Sequence, residues 1–121
     1  MGIEANTTTY NEFIQALGGS LDKIVELTRD SEHSLDISEL STEELQNALR
    51  DAIEDVGQEV LVAWPADHAA ARTTYRDALE RVDDLWYPSM DDLVILDNRE
   101  EARHIIILDH EERLFSATHT T

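Results

Sequence analysis

Apolar residues recur along this chain in two rhythms. Over roughly the first two-thirds they return every three or four positions, which is the spacing of one face of a helix. Tyr10, Phe13, Ile14 and Leu17 follow Thr9, expected to act as the cap, and Gly18 and Gly19 stop the run. Leu21, Ile24, Val25 and Leu27 define a second short helix that opens at Ser20. Residues 34–40, SLDISEL, read as a connector with at most a single turn. The clearest start is at Ser41, with Glu44 three residues on. In that arrangement each side chain bonds the other's backbone N–H, and two donors that the first helical turn leaves open are satisfied together. Leu45, Ala48, Leu49, Ala52, Ile53 and Val56 then form an apolar stripe, while Glu43, Asn47, Arg50, Asp51, Glu54 and Asp55 take the wet face.

Residues 59–64, EVLVAW, fit either of two elements. They form a buried strand entered through Gly57, or they continue the helix past that glycine to about residue 63 at a cost of about 1 kcal/mol. Val60, Leu61 and Trp64 prolong the helical stripe, so the helix is the expectation, and Pro65 closes either element. From Pro65, with Asp67 as cap, the alanine-rich stretch leads to Tyr75, Ala78, Leu79 and Val82 at helical spacing and predicts a helix ending near Asp83.

Beyond residue 90 the period changes. DLVILD (92–97), RHIIILDH (103–110) and LFSAT (114–118) are short, rich in Ile, Leu and Val, and separated by polar links, as in hairpins. The expected fold is α+β, with a helical N-terminal two-thirds packed on a small C-terminal three-stranded antiparallel β-meander. A chain of 121 residues that is 41% apolar forms a single domain with its own core, residues 1–7 and 119–121 being loose ends.

Composition narrows the function classes. With 27 acidic residues against nine basic ones the net charge is −18, so the field of the whole molecule repels nucleic acid and anionic lipid. Each third of the chain carries about −6, so the acid is spread through segments that also have apolar periodicity and must decorate a folded surface. The lack of cysteine removes disulfides, thiolate catalysis and Cys-type zinc sites. The start MGIEAN shows neither a signal peptide nor the Ser or Thr that a myristoylation signal carries at residue 6, and no apolar run is long enough to span a membrane. A cytoplasmic location is the expectation.

Candidate chemistry is sparse. Asp109, His110 and Glu111 are consecutive and His104 lies six residues earlier, but three adjacent turn residues cannot converge on one ion, and no HExxH spacing is present. Ser89 in YPSMDD lacks a nucleophile elbow, although His68 or His104 with an aspartate is available for a triad assembled in space. A small hydrolase using His104 and His110 with carboxylates is therefore the lesser reading. Gly18 and Gly19 lie before a helix start without the lysine of a phosphate-binding loop. Neither a metal, a cofactor nor a catalytic residue is assigned.

The strongest abnormality is electrostatic. Paired acids at Asp83 and Asp84, Asp91 and Asp92, Glu100 and Glu101, and Glu111 and Glu112 offer closely spaced negative charge. Helical acids such as Glu43, Glu44, Asp51, Glu54 and Asp55 repeat it at about 5 to 6 Å, within reach of the spacing of charges along a nucleic-acid strand. Trp86 and Tyr87, beside Met90, supply apolar anchors of the type that interfaces favour, unless they simply close the core between helix and sheet. In charge and length alone the chain resembles small acidic decoys: nucleic-acid mimics, phage counter-defence proteins and immunity proteins that plug nuclease toxins. That resemblance implies a non-enzymatic protein that binds a basic partner, such as a nuclease, and no nucleic acid directly. Scarce lysine, Lys23 alone against eight arginines, equally resembles proteins of salt-adapted organisms, where acidity maintains solubility in an ordinary housekeeping domain.

Overall fold

The structure, a computed structural model, describes residues 6–16, 34–52, 59–64, 67–85, 92–98, 102–108 and 113–120. The chain is α+β, but its sheet is larger than a C-terminal meander. In chain order the elements are helix α1 (Thr7–Ala16), strand β1 (Ser34–Asp36), helix α2 (Thr42–Ala52), strands β2 (Glu59–Trp64) and β3 (Ala69–Thr74), helical segments α3 (Tyr75–Glu80) and α4 (Val82–Leu85), and strands β4 (Leu93–Asn98), β5 (Ala102–Leu108) and β6 (Arg113–Thr120). The six strands form one antiparallel sheet in the order β1-β6-β5-β4-β2-β3. The expected meander β4-β5-β6 is its centre, and β2–β3 and β1 extend it on either side.

Two stretches expected to be helical are strands. EVLVAW is β2, with Val60, Leu61, Val62 and Ala63 all buried. It lies between β3 and β4, and its alternate residues enter two separate apolar clusters, Val60 and Val62 in one and Leu61 and Ala63 in the other. A strand covered on both faces shows an unbroken apolar run, which periodicity cannot separate from a buried helix. Residues 69–74, AAARTT, form β3 rather than the start of a helix, despite the helical preference of alanine. Ala70 is buried with Tyr10 and Phe13 of α1, where a small side chain allows close approach. The helix starts only at Tyr75, capped by Thr74, whose Oγ1 accepts from the Asp77 N–H at 3.2 Å. Asp67 is therefore not its cap. It lies in the link between β2 and β3, followed by His68, whose φ of 50° is a left-handed conformation uncommon outside glycine.

Smaller boundaries also moved. Asn6, not Thr9, caps α1, since its side-chain oxygen accepts from the Thr9 N–H at 2.7 Å and its carbonyl accepts from Tyr10. Asn6 also exchanges both backbone hydrogen bonds with Ala70. The connector SLDISEL begins as strand β1 and then turns, with the Ser38 N–H bonded to Asp36 Oδ1 and the Leu40 N–H to the Ile37 carbonyl. Residues 6, 7, 119 and 120, expected among the loose ends, belong to the bridge, to α1 and to β6. The second helix expected from Ser20 lies outside the described residues.

The architecture has three layers. One face of the sheet presents Leu61, Ala63, Val94, Leu96, Ile105 and Ile107 to α1 through Tyr10 and Phe13. The other presents Val60, Val62, Leu93, Ile95, Ile106, Leu108 and Leu114 to Leu45 and Leu49 of α2 and to Tyr75, Ala78, Leu79 and Val82 of α3 and α4. Strand alternation accounts for the division, odd and even positions of each strand going to opposite faces.

The box at the start of α2 forms as its spacing predicts. The Glu44 N–H bonds Ser41 Oγ at 3.2 Å, and the Ser41 N–H bonds Glu44 Oε1 at 3.3 Å. Replacing Ser41 with Ala removes the cap acceptor and is expected to cost about 1 kcal/mol, read in urea as a lower midpoint at unchanged slope.

Candidate functional site

Helix ends beneath the α2–α3 surface are closed by three side chains from neighbouring elements. The last four carbonyls of a helix have no partner within it, so a helix end placed in a core needs donors from elsewhere. Gln46 of α2 donates through Nε2 to the Leu79 carbonyl of α3 at 3.0 Å, and the Tyr75 hydroxyl of α3 donates to the Leu49 carbonyl of α2. The Trp64 indole N–H at the end of β2 donates to the Leu85 carbonyl of α4 at 2.8 Å. Burial, reinforced by the negative charge of Asp97, pushes the Tyr75 hydroxyl well above the usual tyrosine range.

These bonds fix where the acidic segments attach. The end of β2 carries Trp64 and is joined to the end of α4, and because β2 and β4 are antiparallel it lies at the end of the sheet where β4 begins. Leu93 at the start of β4 pairs with Leu108, which pairs with Leu114, so β5 ends and β6 begins at that same end. Asp83 and Asp84 belong to α4, Asp92 is half-buried just before β4, and the link carrying Glu111 and Glu112 joins β5 to β6 there. The link with Glu100 and Glu101 joins β4 to β5 at the opposite end, roughly 20 Å away at the rise of a six-residue strand. Trp86, Tyr87, Asp91, Glu100, Glu101, Glu111 and Glu112 lie outside the described residues, as do Ser89 and His110.

Apart from Asp97, the remaining described acids face outward. Glu12, Asp36, Glu39, Glu43, Glu44, Asp51, Glu59, Asp67, Asp77 and Glu80 are all exposed. Arg72 on β3 bridges Glu12 of α1 at 2.7 Å and Glu59 of β2 at 3.2 Å, and the Glu12 contact is the main reason that its guanidinium holds its proton more firmly. All three side chains are about half exposed or more, so this bridge contributes little beyond orientation. Asp36, also exposed, has its carboxyl held below the usual range, chiefly by the Ser38 backbone N–H.

Sequence reasoning did not single out Asp97. It is 1% exposed, on the face that Leu93 and Ile95 present to α2 and α3, and its register partner on β5 is His104. A sign was available in DLVILD, where Asp97 has the parity of Leu93 and Ile95, both core residues. No group of three or more histidine or acidic side chains suited to a metal occurs among the described residues, and no helix among them is long and apolar enough to cross a membrane. Comparisons with protein-family models, with curated proteins and with solved structures found no match.

Tyr75→Phe removes the donor to the Leu49 carbonyl and is expected to cost about 1 to 2 kcal/mol near neutral pH. A tyrosine whose folded value is raised contributes stability below the unfolded value of about 10, and that contribution fades as pH rises through the folded value. The stability difference between wild type and Tyr75→Phe should therefore narrow in alkaline urea titrations.

Proposed function

We propose that this is a non-enzymatic acidic protein that binds and blocks a basic, nucleic-acid-binding protein, a nuclease being the type of partner its surface suits. The observation that carries the reading is the shared attachment of three acidic pairs at one end of the sheet. Asp83 and Asp84 ride on α4, Asp91 and Asp92 lead into β4, and Glu111 and Glu112 join β5 to β6. Trp86 and Tyr87 follow α4 directly and supply apolar anchors beside that charge. Glu100 and Glu101, at the opposite end, are a separate contact. Attraction between such an end and a cationic groove accelerates encounter and makes it salt-sensitive.

A second reading, solvation in a salt-adapted cell, draws support from a different observation. Exposed acids also cover the outer helices, at Glu12 on one side of the sheet and Glu43, Glu44, Asp51, Asp77 and Glu80 on the other. Diffuse acid of this kind keeps a molecule dispersed in strong salt without any partner.

Charge-matched variants separate the two. One set neutralises the clustered end (Asp83→Asn, Asp84→Asn, Asp91→Asn, Asp92→Asn, Glu111→Gln, Glu112→Gln), and the other neutralises six helical acids (Glu12→Gln, Glu43→Gln, Glu44→Gln, Asp51→Asn, Asp77→Asn, Glu80→Gln). Against a basic nuclease purified from the native host, the first set should slow association at least about tenfold and flatten its salt dependence, with little change for the second. Equal loss in both sets, together with a wild type that melts cooperatively only in molar KCl, would favour solvation.

A further inference from the structure

Asp97 is the one buried charged residue found among the described residues. Leaving a carboxylate in an apolar layer is costly unless an opposite charge or hydrogen bonds compensate it. Directly opposite on β5 is His104, half-buried, and the pair belongs to the face covered by α2 and α3. Side chains of directly opposed residues start from Cβ atoms about 4.5 to 5.5 Å apart. We infer that Asp97 and His104 form an acid–base pair across β4 and β5, inside the sheet–helix layer, that stabilises the fold most while the histidine carries a proton.

Most charged groups on the surrounding elements are exposed. From α3, Tyr75 reaches this layer, but its hydroxyl is neutral and committed to the Leu49 carbonyl, and its resistance to ionisation owes something to the Asp97 charge. From α2, Leu45 and Leu49 face the layer, whereas Glu43, Glu44, Arg50 and Asp51 are exposed. Arg76, Asp77 and Glu80 of α3 are exposed, and Asp77 is engaged by Thr73 and Thr74. Arg81, half-buried between α3 and α4, bonds through its backbone N–H to the Asp77 carbonyl. From β2 and β3, Glu59 and Arg72 are exposed and bound to each other. On β6, Thr118 is the register partner of His104, Ser116 is half-buried and in register with Ile106, and Arg113 is exposed towards the other end of the strand. Among the described residues, Asp97 is the buried charge in register with His104.

The sign follows from linkage. A histidine that gains an anionic partner on folding contributes stability that is complete below its unfolded value of about 6.5 and is lost as pH rises through the folded value. The test uses the whole chain in about 1 M KCl, where screening over about 3 Å suppresses the general acidic field. The imidazole protons of His104 and of exposed His68 are titrated by NMR, and thermal melts are recorded between pH ~6 and ~8 for wild type, Asp97→Asn and His104→Gln. The expected result is a His104 midpoint about one pH unit above that of His68, with a wild-type melting temperature that falls as pH rises and a much flatter dependence in both variants. A His104 midpoint at or below that of His68, or a pH dependence that persists unchanged in His104→Gln, overturns the inference. Should either variant fail to fold, the wild-type comparison of His104 with His68 decides it.

Discussion

Strands β2, β4 and β5 are apolar on both faces, and the rest of the fold answers that constraint. Val94 and Leu96 need cover on one side of the sheet, while Leu93 and Ile95 need it on the other. Burying such surface is the main favourable term available to a domain of this size. It requires helices on both sides, which is the role of α1 on one face and of α2, α3 and α4 on the other. Once those helices end inside the layer, their last carbonyls need donors, and Gln46, Tyr75 and Trp64 meet that need from neighbouring elements. The reciprocal bonds between α2 and α3 convert a non-directional attraction into a defined packing angle.

The same constraint explains which parts of the fold were legible in the sequence. Where a local device sets the structure, reading succeeded: Ser41 and Glu44 cap α2 as their spacing requires, and the Ile- and Leu-rich runs of β4 and β5 are strands. Where the sheet overrides local preference, reading failed. In EVLVAW, burial on both faces erases the period of two, and in AAARTT, alanine is used for its small size beneath α1 instead of its helical preference. The Thr74–Asp77 spacing resembled the box at Ser41 and marked the true helix start, but the stronger-looking Pro65–Asp67 signal obscured it.

Charge was legible as a quantity and only partly as a place. The sequence names the paired acids, and strand register then shows that pairs far apart in the chain attach at one end of the sheet while Glu100 and Glu101 attach at the other. Asp97 behaves oppositely to its fellow carboxylates, since its parity turns it inward. A count of acidic residues treats it as part of the surface. Its burial on the face shared with Leu93 and Ile95 separates it from that surface.

The bridge between Asn6 and Ala70 has a consequence for association. β3 is the last strand on its side of the sheet, and an outer strand offers backbone groups to which another chain can add. Mutual repulsion among highly charged molecules discourages such addition in dilute buffer, but molar salt shortens its range to about 3 Å. Asn6 occupies the outward N–H and C=O of Ala70, so this stretch of rim is blocked by geometry, a safeguard that ionic strength cannot switch off.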